Sequence, residues 1–136
     1  MTITTMTVAS PEAPPGRAAI GLLRQAAEGI AEAHGDEDPL RRYPAAYLAA
    51  LRAGAAVLAV RARPRPRRGA GRSVWQLLAE VAPELAEWAA FFASCSDTRA
   101  AAEAGIARLV GRREADDLLR QAEQFVGLVG KVVLGR

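Results

Sequence analysis

The chain has 136 residues, 51% of them hydrophobic and 24% charged, with a formal net charge of +3. That length fits one domain with one core, and the single cysteine, Cys95, excludes an intrachain disulfide or a multi-cysteine metal site. Aromatics are scarce and the apolar content leans on Ala, Leu and Val. Ala and Leu are strong helix formers, so composition alone favours an all-α protein.

The positive charge is local. Residues 61–72 hold Arg61, Arg63, Arg65, Arg67, Arg68 and Arg72 with no acid among them, and without these six the formal charge falls from +3 to −3. A basic arm on a mildly acidic body marks either a contact with a polyanion or a compositional run without a role.

In chain order, residues 1–16 are Thr- and Pro-rich and lack periodicity, which predicts a disordered tail. They carry no basic start or apolar run of a secretory signal, and Arg52 divides the best candidate for a membrane span. A cytoplasmic protein without membrane association is expected. The first helix should run from Arg17 to Ala33, with Ile20, Leu23, Ala27, Ile30 and His34 at alternating spacings of three and four. Gly35 ends it, and "GDEDP" reads as a polar turn.

Pro44 is expected to open the second helix, which makes "PLRR" a turn or a short 3₁₀ piece. From Tyr47 to Val60 the only charge is Arg52, so this helix is apolar on nearly every face and should be central. Its stripe is Tyr47, Leu48, Leu51, Ala55 and Leu58, and its alanines with Gly54 allow close approach of neighbours. Pro64 stops it. The arm beyond alternates Arg with Pro and then Gly, which predicts a mobile basic loop over 61–72.

Ser73 and Gln76 form a capping-box pattern that opens the third helix. Leu78, Ala82, Leu85, Ala89 and Phe92 keep one register through Pro83, which predicts one helix kinked there. Trp75, Trp88, Phe91 and Phe92 make it the aromatic wall of the core. A cap at Ser96 or Asp97 and a stop at Gly105 enclose a short helix. The last helix begins near Gly111 or Arg112, with Ala115, Leu118, Leu119, Ala122, Phe125, Val126 and Val129 facing inward. The whole is an all-α, up-down bundle of four long helices plus one short helix over residues 17–130, with a C-terminal tail at 131–136.

Candidate chemistry is sparse. His34 is the only histidine, hence the only candidate for the usual general base, and its plain reading is a helix-end residue near carbonyl acceptors. Asp116 and Asp117 are adjacent and diverge by about 100° on a helix, so they do not form a pair. The run Asp36, Glu37, Asp38 reads as a cap and a solvated turn. Glu28 and Glu32 have i, i+4 spacing but lack a second ligating helix. Cys95 has no cationic neighbour before Arg99 and reads as a packing residue. "GAGR" lacks the strand and the lysine of a phosphate-binding loop. No metal and no cofactor is predicted. The arm is the feature with a physical use: arginines on an extended segment pair with phosphates and release counterions. It has no interleaved aromatics for stacking bases.

Four segments, "LLRQAAEGIAEA", "RRYPAAYLAALRAGAAVLAVRARP", "SVWQLLAEVAPELAEWAAFFA" and "READDLLRQAEQF", resemble a small actinobacterial branch of the HEPN family (higher eukaryotes and prokaryotes nucleotide-binding). The resemblance covers roughly residues 17–130, and "SVWQLLAEVAPELAEWAAFFA" carries it best. It implies a bundle of four to five helices, often homodimeric, among relatives that are RNA-cutting toxins, RNA-binding partners or helpers of nucleotidyltransferases. The family's ribonuclease motif is an arginine followed four to six residues later by a histidine. Arg24 precedes His34 by ten positions, and Arg42 and Tyr47 have a permitted spacing but with tyrosine in place of histidine. An ordinary tyrosine, with a pKa near 10, is a poor base at neutral pH.

The resulting expectation is a homodimeric bundle that binds RNA or a nucleotide without cutting it, with Arg42, Tyr47 and Arg52 lining the site and the arginines from Arg61 to Arg72 adding reach. The alternatives are a module that docks a partner protein encoded nearby, and a divergent nuclease using Arg42 with Tyr47 or His34.

Overall fold

A computed structural model describes residues 16–61 and 73–135. The expected tail at the N-terminus and the arm from residue 62 to 72 lie outside the described residues. The described ones form α1 (Gly16–Gly35), α2 (Pro39–Arg61), α3 (Val74–Val81), α4 (Ala86–Ser94), α5 (Ser96–Glu103) and α6 (Arg112–Leu134), with 3₁₀ turns at Pro83–Leu85 and Ala107–Leu109. The all-α bundle predicted from composition and periodicity is what forms.

α2 is the hub. It packs against α1, α3, α5 and α6 and buries Tyr43, Ala46, Tyr47, Ala49, Ala50, Ala53, Gly54, Ala56 and Val57. Small residues set these contacts. A Cβ on Gly54 would stand 3.2 Å from Trp75 Cζ3 and 3.3 Å from Val74 Cγ1, and one on Gly29 would stand 3.3 Å from Ala49 Cβ. By length and composition α2 could cross a membrane, but half of its most apolar window is buried inside the bundle. α1 runs antiparallel to α2, with Gly29 facing Ala49 and Ala33 facing Arg42. α3 follows α2 in the same sense, from Val74 and Trp75 beside Gly54 to Val81 beside Arg61, and α4 folds back on it, so that Phe92 stacks on Trp75 at 5.3 Å.

Several boundaries differ from expectation. α2 begins at Pro39 rather than Pro44, because Asp38 supplies the cap: its Oδ1 accepts the Leu40 amide at 2.9 Å and its carbonyl the Arg42 amide at 2.8 Å. Pro39 is thus the first helical residue, and Pro44 sits inside the helix, leaving the Leu40 carbonyl without its usual amide donor. The third helix does not bend continuously. Ala82 precedes a proline and is pushed to φ −137°, ψ 73°, so a 3₁₀ turn separates α3 from α4. The long helices are therefore α1, α2 and α6, and in place of one kinked helix two short ones, α3 and α4, fold back on each other across the turn. Their stripe of Leu78, Ala82, Leu85, Ala89 and Phe92 is nevertheless buried throughout.

The capping box is present, with the Gln76 amide 3.1 Å from Ser73 Oγ and the Ser73 amide 2.9 Å from Gln76 Oε1. Neither Ser96 nor Asp97 caps α5. Cys95 does so through its backbone, and Ser96 Oγ instead donates back to the Ala93 carbonyl. Gly105 stops α5 at φ +79°, with paired bonds from Ile106 to Ala101 and from Gly105 to Ala102. α6 buries its expected stripe apart from the half-buried Val126, and it extends through residues 131–134 of the expected tail.

Two stripes shift. On α1 the inward residues are Ala19, Ala26, Ile30 and Ala33, while Ile20 is 45% exposed and Ala27 and His34 face out. On α2, Leu48 is exposed and the alanines turn inward. Close helix approach selects the small face over the more hydrophobic one. Phe91 likewise leaves the aromatic wall, and the core rings are Trp75, Phe92 and Phe125, with Phe92 5.3 Å from Trp75 and 5.2 Å from Phe125.

Candidate functional site

Arg42 lies where the end of α1, the start of α2 and the start of α6 meet. Its Nε donates to the Ala33 carbonyl at 2.9 Å, Nη2 to the His34 carbonyl at 3.1 Å and Nη1 to Asp116 Oδ1 at 2.5 Å. The last carbonyls of α1 have no amide partners within the helix and carry its negative dipole end. A guanidinium fork suits that position, and Asp116 balances its charge from α6. Arg42 thus joins three helices.

His34 is beside it in space but turned outward. Its Nε2 lies 3.0 Å from Glu123 Oε1, with both side chains more than half exposed. Arg42 meets the backbone of His34, and the imidazole pairs with a different acid. His34 ends its helix as expected, but its ring meets the Glu123 carboxylate and the helix-end carbonyls are taken by Arg42.

Tyr47 is elsewhere. Five positions along a helix turn a side chain by about 140°, so Arg42 and Tyr47 face different neighbours. Tyr47 is buried, and its hydroxyl accepts the Trp75 indole N–H at 2.9 Å. Over its ring, 4.9 Å from the centroid, lies the Arg99 guanidinium, whose Nη1 also pairs with Glu103 at 3.1 Å. Arg99 Nε is buried without a hydrogen-bond partner. Sequence reasoning missed Arg99, since its i, i+4 acid signals a solvent pair and nothing links it to a residue 52 positions earlier. Of the expected lining, Arg42 and Tyr47 are engaged by different neighbours and do not meet.

Behind Tyr47 the Tyr43 hydroxyl is well above the usual phenol range, chiefly because it is buried and also because it meets the Cys95 thiol. The thiol itself donates to the Phe91 carbonyl at 3.4 Å. Cys95 is a buried packing residue.

Of the arginines assigned to nucleic acid, Arg52 and Arg61 are described, and Arg63, Arg65, Arg67, Arg68 and Arg72 lie outside the described residues. Arg52 is half-buried on α2 and makes no ion pair within the described chain. Arg61 pairs with Glu84 at 2.7 Å and donates to the Val81 carbonyl at 3.4 Å. That hydrogen-bonded pairing holds the Glu84 carboxyl below its ordinary range and raises Arg61.

The acids serve structure or solvent. Asp36 and Asp38 both hold Arg41, at 2.8 and 3.1 Å, and Asp117 pairs with Arg120 on its own helix. Among the described residues no three His, Cys, Asp or Glu side chains gather as a metal site.

The family model for SAV_6107-like HEPN domains matches residues 33–130 of this chain. The chain belongs to the HEPN family. No curated protein and no solved structure matches it. The matched HEPN segment takes in α2 to α5 whole and most of α6, and leaves out all but the end of α1. Both Arg42 and Tyr47 lie within it, so this HEPN domain holds its arginine and tyrosine at a permitted spacing and directs them to different joints.

Proposed function

We propose that this HEPN protein binds RNA or a nucleotide without cutting it, as a component of a toxin–antitoxin, stress or nucleic-acid-maintenance system. The observation that carries the non-catalytic part is the capture of Arg42 by two carbonyls and Asp116. Cleavage in the family's manner asks for an arginine able to meet phosphate and a base able to move a proton. The Tyr47 hydroxyl is enclosed in the core as an acceptor for Trp75, and the one histidine is paired with Glu123 on an exposed face.

The binding part rests on charge. Arg52 and the arm from Arg61 through Arg63, Arg65, Arg67, Arg68 and Arg72 supply cations on a body that is otherwise acidic. Such contacts carry affinity without reading sequence and weaken steeply with salt. A homodimer would double the arms available to one strand.

The test is binding of a single-stranded RNA at two salt concentrations. Affinity should fall as salt rises, and it should be lost when the six arm arginines become Gln. Unchanged affinity in that variant removes the arm from the account. RNA cleavage by the purified protein that disappears in Arg42→Ala overturns the non-catalytic reading.

A further inference from the structure

α4 meets α6 through rings: Trp88 and Phe92 lie 5.5 and 5.2 Å from Phe125. Outside this layer the helices leave an open cleft of about 350 Å³ lined by Glu87, Trp88, Phe91 and Gln121. Trp88 is half-buried, Phe91 is 38% exposed, and Glu87 is exposed with no ion pair within the described chain. The lining therefore combines aromatic surface, a carboxylate without a cation, and an amide.

Three residues earlier in the chain, Glu84 already holds the guanidinium of Arg61 at 2.7 Å. Glu87 repeats the carboxylate, now beside two rings. A phosphate-bearing ligand would meet repulsion from Glu87 with no lining cation to offset it. A planar cation meets the reverse: a guanidinium stacks on aromatic faces and gives two parallel N–H groups to a carboxylate. The negative body charge outside the arm favours the same sign of ligand.

We propose that the α4–α6 cleft docks an arginine side chain from an extended basic segment of a partner protein, with Glu87 accepting its N–H groups and Trp88 and Phe91 covering its faces. Gln121 offers its amide oxygen to a remaining donor. This site is separate from the RNA contact proposed above and does not depend on it.

The experiment titrates the full chain, and the same chain with the arm arginines changed to Gln, with an acetylated Pro-Arg-Pro-Arg-Pro peptide, read by tryptophan fluorescence and calorimetry. Because residues 64–67 share that sequence, markedly tighter binding by the arm variant would put the chain's own arm in the cleft and overturn a partner as its occupant. The expected result is saturable binding that weakens about tenfold for the lysine counterpart of the peptide and about tenfold for Glu87→Gln. Phe91→Ala should also weaken it, and both variants should keep the parent's unfolding midpoint. Absence of saturable binding overturns the proposal. So does equal affinity for the lysine peptide, equal affinity in Glu87→Gln, or displacement of the peptide by oligouridylate that is insensitive to Glu87→Gln.

Discussion

Arg42 and Tyr47 sit five residues apart on one helix and do opposite kinds of work. Arg42 holds a corner where three helices meet, through polar bonds to two carbonyls and one carboxylate. Tyr47 holds a seam in the aromatic core, where its ring carries Arg99 on one side and its hydroxyl takes the indole N–H of Trp75. The corner works by satisfying groups that a helix end leaves open, and the seam by close packing. A spacing shared with a catalytic motif therefore says nothing of a shared site until the neighbours of each residue are known.

The seam should prove the stronger joint. Trp75→Ala removes a ring in contact with Phe92, Phe125 and Tyr47 and leaves the Tyr47 hydroxyl facing a cavity. It should destabilise the fold by about 3–5 kcal/mol, read from urea unfolding. Trp75→Phe keeps most of the ring and loses the indole N–H, for which about 1–2 kcal/mol is expected. A loss in Trp75→Phe as large as in Trp75→Ala would mean that the hydrogen bond, not the packing, holds the seam.

Arg42→Ala opens the corner. The His34 carbonyl and Asp116 lose this donor and the Ala33 carbonyl keeps only the Asp36 amide at 3.3 Å, and the expected loss is about 1–3 kcal/mol, because water can reach part of the site. Arg42→Lys should recover only part of it, since one ammonium cannot reproduce the fork. RNA affinity should stay at the parent value in both. A selective fall in RNA affinity with stability retained would move Arg42 from the corner into the binding surface.

Ser73→Ala tests the point where the basic arm joins the seam helix. It deletes the hydroxyl that accepts the Gln76 amide and should lower stability by about 1 kcal/mol, without changing RNA binding.

These two regions were not equally open to sequence reasoning. The stripe of α6 was legible because Leu118, Leu119, Phe125 and Val129 repeat at helical spacing with polar residues between them. The capping box at Ser73 was legible because its two partners lie three residues apart. The stripe of α1 was not, because hydrophobicity ranks Ile20 above Ala19, whereas close contact with α2 favours the smaller residue. The start of α2 offered two prolines, and the Asp38 cap before Pro39 decided between them. The roles of Arg42 and Arg99 were hidden for a different reason: Asp116 is 74 residues from Arg42, and the Ala33 and His34 carbonyls belong to the backbone, which has no letter of its own.

The smallest effect belongs to the link between α2 and the α3–α4 arm, and it has a sign. Pairing with Arg61 lowers the Glu84 carboxyl from its ordinary 4.5. A carboxyl lowered on folding contributes stability that is fully present above its unfolded value and is lost as pH falls through its folded one. Stability should therefore fall on acidification below about pH 4.5 partly through this pair, and Glu84→Gln should flatten that part of the curve by losing the same small amount at neutral pH while matching the parent at the acid end. The pair is solvent-screened, so high salt should erase the difference between parent and variant. If the acid limb is identical in the two at low salt, Arg61 is held by the Val81 carbonyl alone, and Glu84 contributes nothing to the link.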